Sequence, residues 1–279
     1  MSLSLRDELR VVMYRDQIQA VRIGRKLTLK GKLCRVIEKK IYPCPAGDDL
    51  SCEGTLKVLE KVLSELTNKP AFARVIISNH FMNYAMVELN QTLNGEAEEL
   101  AYAKHCFGQL YGSSAADWEF RLNQDHAGDQ QLASAANALF LKNIRAAFAR
   151  ASVKLESIQP YLMAAFNNCH SDLQNQDAWF VLVEHGSLCI GLVRQGHWSS
   201  VRTFTVGNDW YEKLNEILDR ESFLSEIDIS SDKIFLWAPE YVRVDLPKST
   251  RWKIQKLKPG IRASFAADFE EQYAIAMCG

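Results

Sequence analysis

The alternation of apolar and polar positions at the start of the chain predicts three β-strands. The first covers residues 9–13, the second begins at Ile18 after a polar turn at 14–17, and the third runs from 27 to 41. Prolines and a glycine directly after the third segment end it. The pattern therefore indicates a three-stranded meander.

The pattern then changes to helices and compact buried strands. Apolar residues at helical spacing predict a helix over 55–66. A second helix begins at Gly95, carries three glutamates in its first turn, where the helix dipole favours acidic groups, and ends at Gly112. The other predicted elements are strands at 74–78, 84–89 and 118–122, a loop over 123–131, a long helix over 133–151, a strand at 153–158 and a helix from Pro160 to about Asn168.

After a polar linker at 171–177 the same order of elements starts again. A second meander, a helix and a compact strand are predicted at 179–184, 188–194, 198–206, 209–218 and 233–237. This repeated order predicts an α/β protein of two duplicated lobes with mixed sheets and a cleft between them. We place the first lobe at residues 1–165 and the second at 166–279.

Composition and charge are those of an ordinary soluble globular protein. The 279 residues are 47% hydrophobic and 24% charged, which excludes disordered, collagen-like and coiled-coil proteins. The 33 basic and 34 acidic residues give a net charge of −1, so charge alone gives no reason to expect nucleic-acid binding. Charges at Arg6 and Asp7 are not compatible with a signal-peptide core, and no segment has the roughly 18 consecutive apolar residues of a membrane helix.

The cysteines and histidines do not form a pattern typical of a metal site or a catalytic site. Seven cysteines at irregular spacing, without a Cys-x-x-Cys pair, predict free thiols in a reducing cytoplasm. The spacing of Cys34, Cys44 and Cys52 fits no usual zinc pattern. His105 and Cys106 are adjacent on a predicted helix and point in different directions, so they are not a nucleophile–base pair. We therefore expect no metal site and no catalytic residue.

Four segments together resemble a known family. They are ARVIISNHFMNYAMV at 73–87, GEAEELAYAKHCFGQLYG at 95–112, IQPYLMAAFN at 158–167 and WFVLVEHGSLCIGLVRQGHWSSVRTF at 179–204. They resemble the actin-like proteins of type IV pilus and type II secretion systems, the family of PilM, MshI and the cytoplasmic domain of GspL. The resemblance spans about residues 9–237. It implies an actin/Hsp70/sugar-kinase-like fold of two RNase H-like lobes, and a place on the cytoplasmic face of the inner membrane beside a membrane-anchored partner.

Three loops decide whether such a chain binds nucleotide, because backbone N–H groups must approach the phosphates closely and an aspartate helps to hold Mg²⁺. The first, at 14–17, has no glycine and offers only Asp16. The second has Glu184 where aspartate is expected, together with Gly186. The third, at 238–240, has no glycine, and its proline removes a backbone donor. We therefore expect no bound cofactor and no ATP hydrolysis; Asp16, Glu184 and Gly186 are the cofactor-binding candidates if nucleotide binds.

Two basic stretches, at 22–40 and 243–258, stand out from the balanced charge of the chain. Each is compatible with a solvated strand face or with contact to an acidic partner segment or an anionic membrane surface. The partner-binding candidates in the first stretch are Arg22, Arg25, Lys26, Lys30, Lys32 and Arg35.

These observations together predict a non-catalytic actin-like scaffold of a pilus or type II secretion assembly platform. The expected partner is a membrane-anchored assembly protein or an assembly ATPase, with no nucleic acid, and with the membrane reached only through that partner. The alternatives are a PilM-like protein that binds ATP with Mg²⁺ and a sugar-kinase-like phosphotransferase. An RNase H-like nuclease would need clustered carboxylates at strand ends, where the chain offers only Asp16 and Glu184.

Overall fold

A computed structural model describes residues 4–28, 31–45, 52–66, 72–88, 95–123, 130–225, 231–246, 249–261 and 263–278. The chain forms two compact units. The first comprises Met1–Phe81, Asn137–Asn168 and Pro259–Gly279, and the second comprises Met82–Ala136 and Cys169–Lys258. The division predicted at 165/166 lies close to one of the points at which the chain changes unit, but each unit is built from more than one segment.

The strands of the described residues are, in chain order, β1 Ser4–Met13, β2 Gln17–Thr28, β3 Gly31–Pro43, β4 Phe72–Ile77, β5 Asn83–Glu88, β6 Trp118–Leu122, β7 Gln130–Asn137, β8 Lys154–Pro160, β9 Ala178–Glu184, β10 Ser187–Arg194, β11 His197–Thr205, β12 Lys233–Trp237 and β13 Lys253–Lys256. The α-helices are α1 Glu53–Ser64, α2 Glu96–Tyr111, α3 Ala138–Arg150, α4 Tyr161–Asn168, α5 His170–Leu173, α6 Trp210–Leu224 and α7 Ala274–Met277. None of these described helices is long and apolar enough to cross a membrane.

The two five-stranded sheets have the same strand order. The first sheet is β3-β2-β1-β4-β8 and the second is β11-β10-β9-β12-β13. In each, an antiparallel meander is followed by two strands that run parallel to its first strand. This arrangement confirms the predicted duplication of mixed, RNase H-like sheets. It also explains why β9 is buried along its whole length, since a central strand is covered on both faces and is therefore mostly apolar.

The sequence did not predict the small sheet that interrupts the duplicated order. Residues 82–136 form the three-stranded sheet β5-β7-β6 with α2 packed against it. The side chain of Phe107 on α2 is fully buried there, with its ring 5.1 Å from that of Phe120. We call residues 82–136 the inserted module; it belongs to the second unit.

The long helix predicted over 133–151 is wrong in its first five residues. Residues 130–137 form β7, which pairs with β5, and the helix starts only at Ala138. The side-chain oxygen of Asn137 accepts a hydrogen bond from the N–H of Phe140 at 2.9 Å and so caps the helix. The alanines of β7 have helical propensity, but their small side chains are buried in the inserted module, and this packing decides their conformation.

A segment near residue 260 returns to the first unit and was also not predicted. The N–H of Gly260 donates to the side chain of Asn168 at 2.8 Å. Further along, the buried guanidinium of Arg10 on β1 donates to the carbonyls of Ala276 and Cys278 at 3.0 and 2.6 Å. These contacts fasten α7 to the first sheet.

Candidate functional site

The turn at residues 14–17, the first predicted phosphate loop, is tight and begins at a buried aromatic residue. The N–H of Tyr14 donates to the carbonyl of Gln17 at 2.9 Å, which closes the hairpin. Tyr14 is only 3% exposed, and its ring centroid lies 5.9 Å from that of Tyr161. Asp16 is exposed, and its carbonyl accepts the N–H of Cys44 at 2.7 Å. The turn therefore presents one carboxylate and no glycine backbone.

The second turn follows β9 and contains Glu184 and Gly186. Gly186 has φ of +78°, a left-handed conformation that glycine adopts without strain. Its carbonyl accepts the N–H of Val206 at 3.2 Å. Glu184, in contrast, is only 3% exposed, so its carboxylate lies inside the second unit rather than at an open turn.

Buried titratable groups surround Glu184. Burial, with a smaller contribution from the charge of Glu184, raises the pKa of the Cys189 thiol to about 12. Burial also raises the pKa of Tyr84 well above its ordinary value, with added contributions from Cys189 and Glu184. Tyr84 belongs to the inserted module, so this carboxylate faces the module's β5 strand. Sequence reasoning missed this arrangement because the module itself was not predicted.

The third loop forms a short 3-10 turn, Pro239–Tyr241, after β12. Pro239 is buried, and the N–H of Tyr241 donates to the carbonyl of Ala238 at 3.0 Å. The ring of Tyr241 packs at 5.6 Å from the ring of Trp210 on α6. The position where an adenosine-binding Gly-Gly pair was expected is thus occupied by proline and aromatic packing.

The three predicted cofactor residues are divided between the two units: Asp16 belongs to the first, whereas Glu184 and Gly186 belong to the second. Among the described residues, no three histidine, cysteine or acidic side chains are arranged so that they could hold a metal ion. The half-buried thiols of Cys44 and Cys52 have pKa values raised by burial, which disfavours the thiolate that zinc needs.

The predicted partner-binding residues lie on the hairpin of β2 and β3 as far as the structure describes them. Arg22 is half-buried, and its guanidinium pairs with Asp7 at 2.6 Å, whereas Arg35 is exposed. The pairing register places the backbones of Arg25, Lys26 and Lys32 opposite Cys34, Leu33 and Leu27. Lys30 lies outside the described residues.

A groove of about 300 Å³, open to solvent, lies between this hairpin and α1. Its floor is apolar, with Leu9, Ala20 and Val62, while Arg22 and Lys40 stand at its edge. Lys40 pairs with Glu38 at 2.8 Å, and that hydrogen bond is the main cause of its raised pKa. The edge charges next to the groove are therefore paired within the chain.

Comparison with solved structures identifies the fold, although no family model and no curated protein sequence matches the chain. The PilM–PilN type IV pilus biogenesis complex matches with a TM-score of 0.62 at 13% identity, over 96% of each chain. The cytoplasmic domain of EpsL, an inner-membrane component of the type II secretion system of Vibrio cholerae, matches with 0.54 at 11% identity, over 90% of each chain.

A Bacteroides thetaiotaomicron protein described as having an actin-like ATPase fold and unknown function also matches. Its TM-score is 0.51 at 12% identity, over 84% of this chain and 82% of that one. Together with the two sheets of identical strand order, these similarities confirm the fold that the four sequence segments implied: the chain has the actin-like fold.

Proposed function

We propose that this chain is a non-catalytic actin-like scaffold of a bacterial pilus or type II secretion assembly platform, placed at the cytoplasmic face of the inner membrane. The proposal is supported by the residues at the expected first and third phosphate loops, which contain no glycine, in a chain with the actin-like fold. Tyr14 and Pro239, both buried, stand where an ATPase needs glycine backbone. The N–H of Tyr14 already donates to the carbonyl of Gln17, and a proline has no N–H to donate to a phosphate oxygen.

The direct test is calorimetry of the purified chain with ATP and Mg²⁺ at millimolar concentration. We expect no binding isotherm. A dissociation constant in the micromolar range would overturn the nucleotide-free proposal and favour the ATP-binding alternative, in which Gly186 and Glu184 supply the surviving turn. A sugar-kinase-like phosphotransferase also requires that isotherm, so the same measurement addresses it.

The partner we propose is a membrane-anchored assembly protein or its assembly ATPase. This proposal is supported by the similarity to PilM, whose structure is that of a complex with PilN. The basic hairpin of β2 and β3 is the proposed contact surface, since a chain that does not hydrolyse ATP must act through protein contacts. Such contacts weaken as salt is added.

Charge reversal tests this contact surface. Changing Lys30, Lys32 and Arg35 to glutamate should release the tagged chain from the membrane fraction of its bacterium. Circular dichroism of the variant should match wild type; at Arg35, which is exposed, a substitution is expected to change stability by only about ±0.5 kcal/mol. The matched control changes three exposed lysines elsewhere in the first unit, Lys57, Lys142 and Lys154, and should leave membrane recovery unchanged. Wild-type recovery of the hairpin variant would refute the proposed surface, and mass spectrometry of the recovered proteins identifies the partner.

A further inference from the structure

Part of the returning segment covers one face of the basic hairpin. Residues 263–273 form two short 3-10 turns, Ala263–Asp268 and Glu271–Tyr273, and the first of these lies beside β3. Phe265 is fully buried there, whereas most of its neighbours are exposed. We call residues 263–273 the covering segment.

Lys39 on β3 is the residue that the covering segment recognises. Its ammonium donates to the carbonyl of Asp268 at 2.6 Å and forms an ion pair with Glu270. The same ammonium lies 5.6 Å from the centre of the Tyr273 ring, within the range of a cation–π contact. One lysine of the basic stretch thus binds a carboxylate, a backbone carbonyl and an aromatic ring at once.

The two ends of the returning segment are held very differently. Ala274, Ile275, Ala276 and Met277 in α7 are all at most 2% exposed, and Arg10 binds the carbonyls at that end. The covering segment has 3-10 turns and one fully buried anchor, Phe265, with Tyr273 nearly buried beside α7. Segments with few buried apolar contacts open at a lower free-energy cost than the core. The covering segment can therefore leave β3 while α7 stays in place.

We propose that the face of β3 that presents Lys39 is a docking site for an acidic partner segment that contains an aromatic residue. The chain's own covering segment, with the sequence DFEEQY at 268–273, occupies this site when no partner is bound. The inference deepens the proposed function, because it names the chemistry of the partner segment. The contacts show this complementarity, because the Glu270 carboxylate, the Asp268 carbonyl and the Tyr273 ring all contact one lysine of a basic stretch.

An acidic peptide fits this site better than an anionic membrane surface does. A lipid headgroup offers mainly negative charge, whereas the Lys39 ammonium also donates to a backbone carbonyl and contacts an aromatic ring in a defined arrangement. Burial raises the pKa of Tyr273, and the Glu270 charge adds to that effect, which reflects how closely the ring and the carboxylate are held.

The experiment uses the full chain and a fluorescein-labelled peptide with the sequence of residues 263–274, followed by fluorescence anisotropy. Glu270→Ala weakens the internal cover and should raise peptide affinity about two- to five-fold, the range expected for one exposed ion pair. Glu271→Ala is the matched control: it removes the same charge from the adjacent position, at which the described residues provide no ion pair. It should change the affinity less than two-fold. Phe265→Ala, which removes the buried anchor, should raise the affinity more than ten-fold.

A charge exchange provides the second arm. Lys39→Glu should abolish binding of the acidic peptide and allow binding of the same peptide with lysine at the position of Glu270. If Lys39→Glu binds the original peptide as wild type does, the proposal is wrong. If Glu270→Ala gains affinity for phosphatidylglycerol vesicles and not for the peptide, the face binds membrane rather than an acidic segment, and the proposal is overturned. None of these outcomes depends on the assembly machine, so they are separate from the membrane-recovery test above.

Discussion

The buried pair of Glu8 and Arg10 provides a quantitative test of how the first unit holds its returning segment. Glu8 is fully buried, Arg10 is 5% exposed, and their Nε–Oε1 distance is 2.9 Å. Arg10→Met removes this ion pair and the donor to two carbonyls in and after α7. It leaves the Glu8 carboxylate facing the more distant and half-exposed guanidinium of Arg74, at 3.6 Å.

The expected loss of stability follows from that arrangement. Removing one partner of a buried ion pair costs about 3–5 kcal/mol, since the remaining buried charge loses a close counter-charge. Because two carbonyls also lose their charged donor, we expect the loss of stability in Arg10→Met to lie in the upper half of that range. Replacing both Glu8 and Arg10 by methionine removes the buried charge as well. We expect this double variant to lose about 1–3 kcal/mol, which is less than the single variant loses.

Denaturant unfolding followed by far-ultraviolet circular dichroism measures these differences. All six tryptophans lie in the second unit, so their fluorescence reports that unit and not the first. Arg74→Met is the matched control: it removes an exposed guanidinium from the same carboxylate and should cost at most about 1 kcal/mol. A loss below about 1 kcal/mol for Arg10→Met, or a double variant less stable than the single one, would refute the reasoning.

Three further outcomes can be measured. Gly191→Ala places a Cβ against the buried Trp198 ring and should destabilise the second unit by about 1–3 kcal/mol, measured by denaturation followed by tryptophan fluorescence. Gly108→Ala adds a Cβ in open space on α2 and should stabilise the same unit by about 0.5–1 kcal/mol. Ser152 has φ of +58° directly after α3, so Ser152→Gly should raise the thermal midpoint, by the equivalent of about 0.5–1 kcal/mol. Lys39 lowers the pKa of Glu270 below its ordinary 4.5, so the ionised carboxylate stabilises the fold above that value. The difference in stability between wild type and Glu270→Gln should be full at pH 6 and disappear as the pH falls through the lowered pKa. A difference that persists at pH 2 would contradict this assignment.

Local patterns were sufficient to predict the two meanders and the compact strands that follow them. The strands of each meander are joined by short turns, so their alternation and turn residues determine both their conformation and their neighbours. The parallel strand β12 was likewise recognisable as a short apolar segment. The duplicated order of elements therefore followed from contacts that are close in sequence.

The features that were missed depend on contacts between distant parts of the chain. Residues 133–137 have a helical composition, and only pairing with β5, about fifty residues earlier, makes them a strand. Glu184 is buried in the second unit, where its charge contributes to the raised pKa of Tyr84, a hundred residues before it. Neither relationship has a periodic signal in the sequence, because packing between separate segments overrides local propensity.

The same reasoning separates Lys39 from the other cations of the basic stretch. In sequence it is one of eight basic residues between 22 and 40, and each of them could equally be a solvated charge at a sheet edge. The structure pairs Lys39 with a carbonyl that is 229 residues away, and it pairs Arg22 with Asp7 on the neighbouring strand. The basic stretch therefore contains two kinds of charge. Some are paired with other groups of the fold, and others, such as that of Arg35, are exposed. A partner can be recognised either by exposed charges or by a site whose cover is displaced. Substitution of Arg35 tests the first possibility, and substitution of Lys39 tests the second.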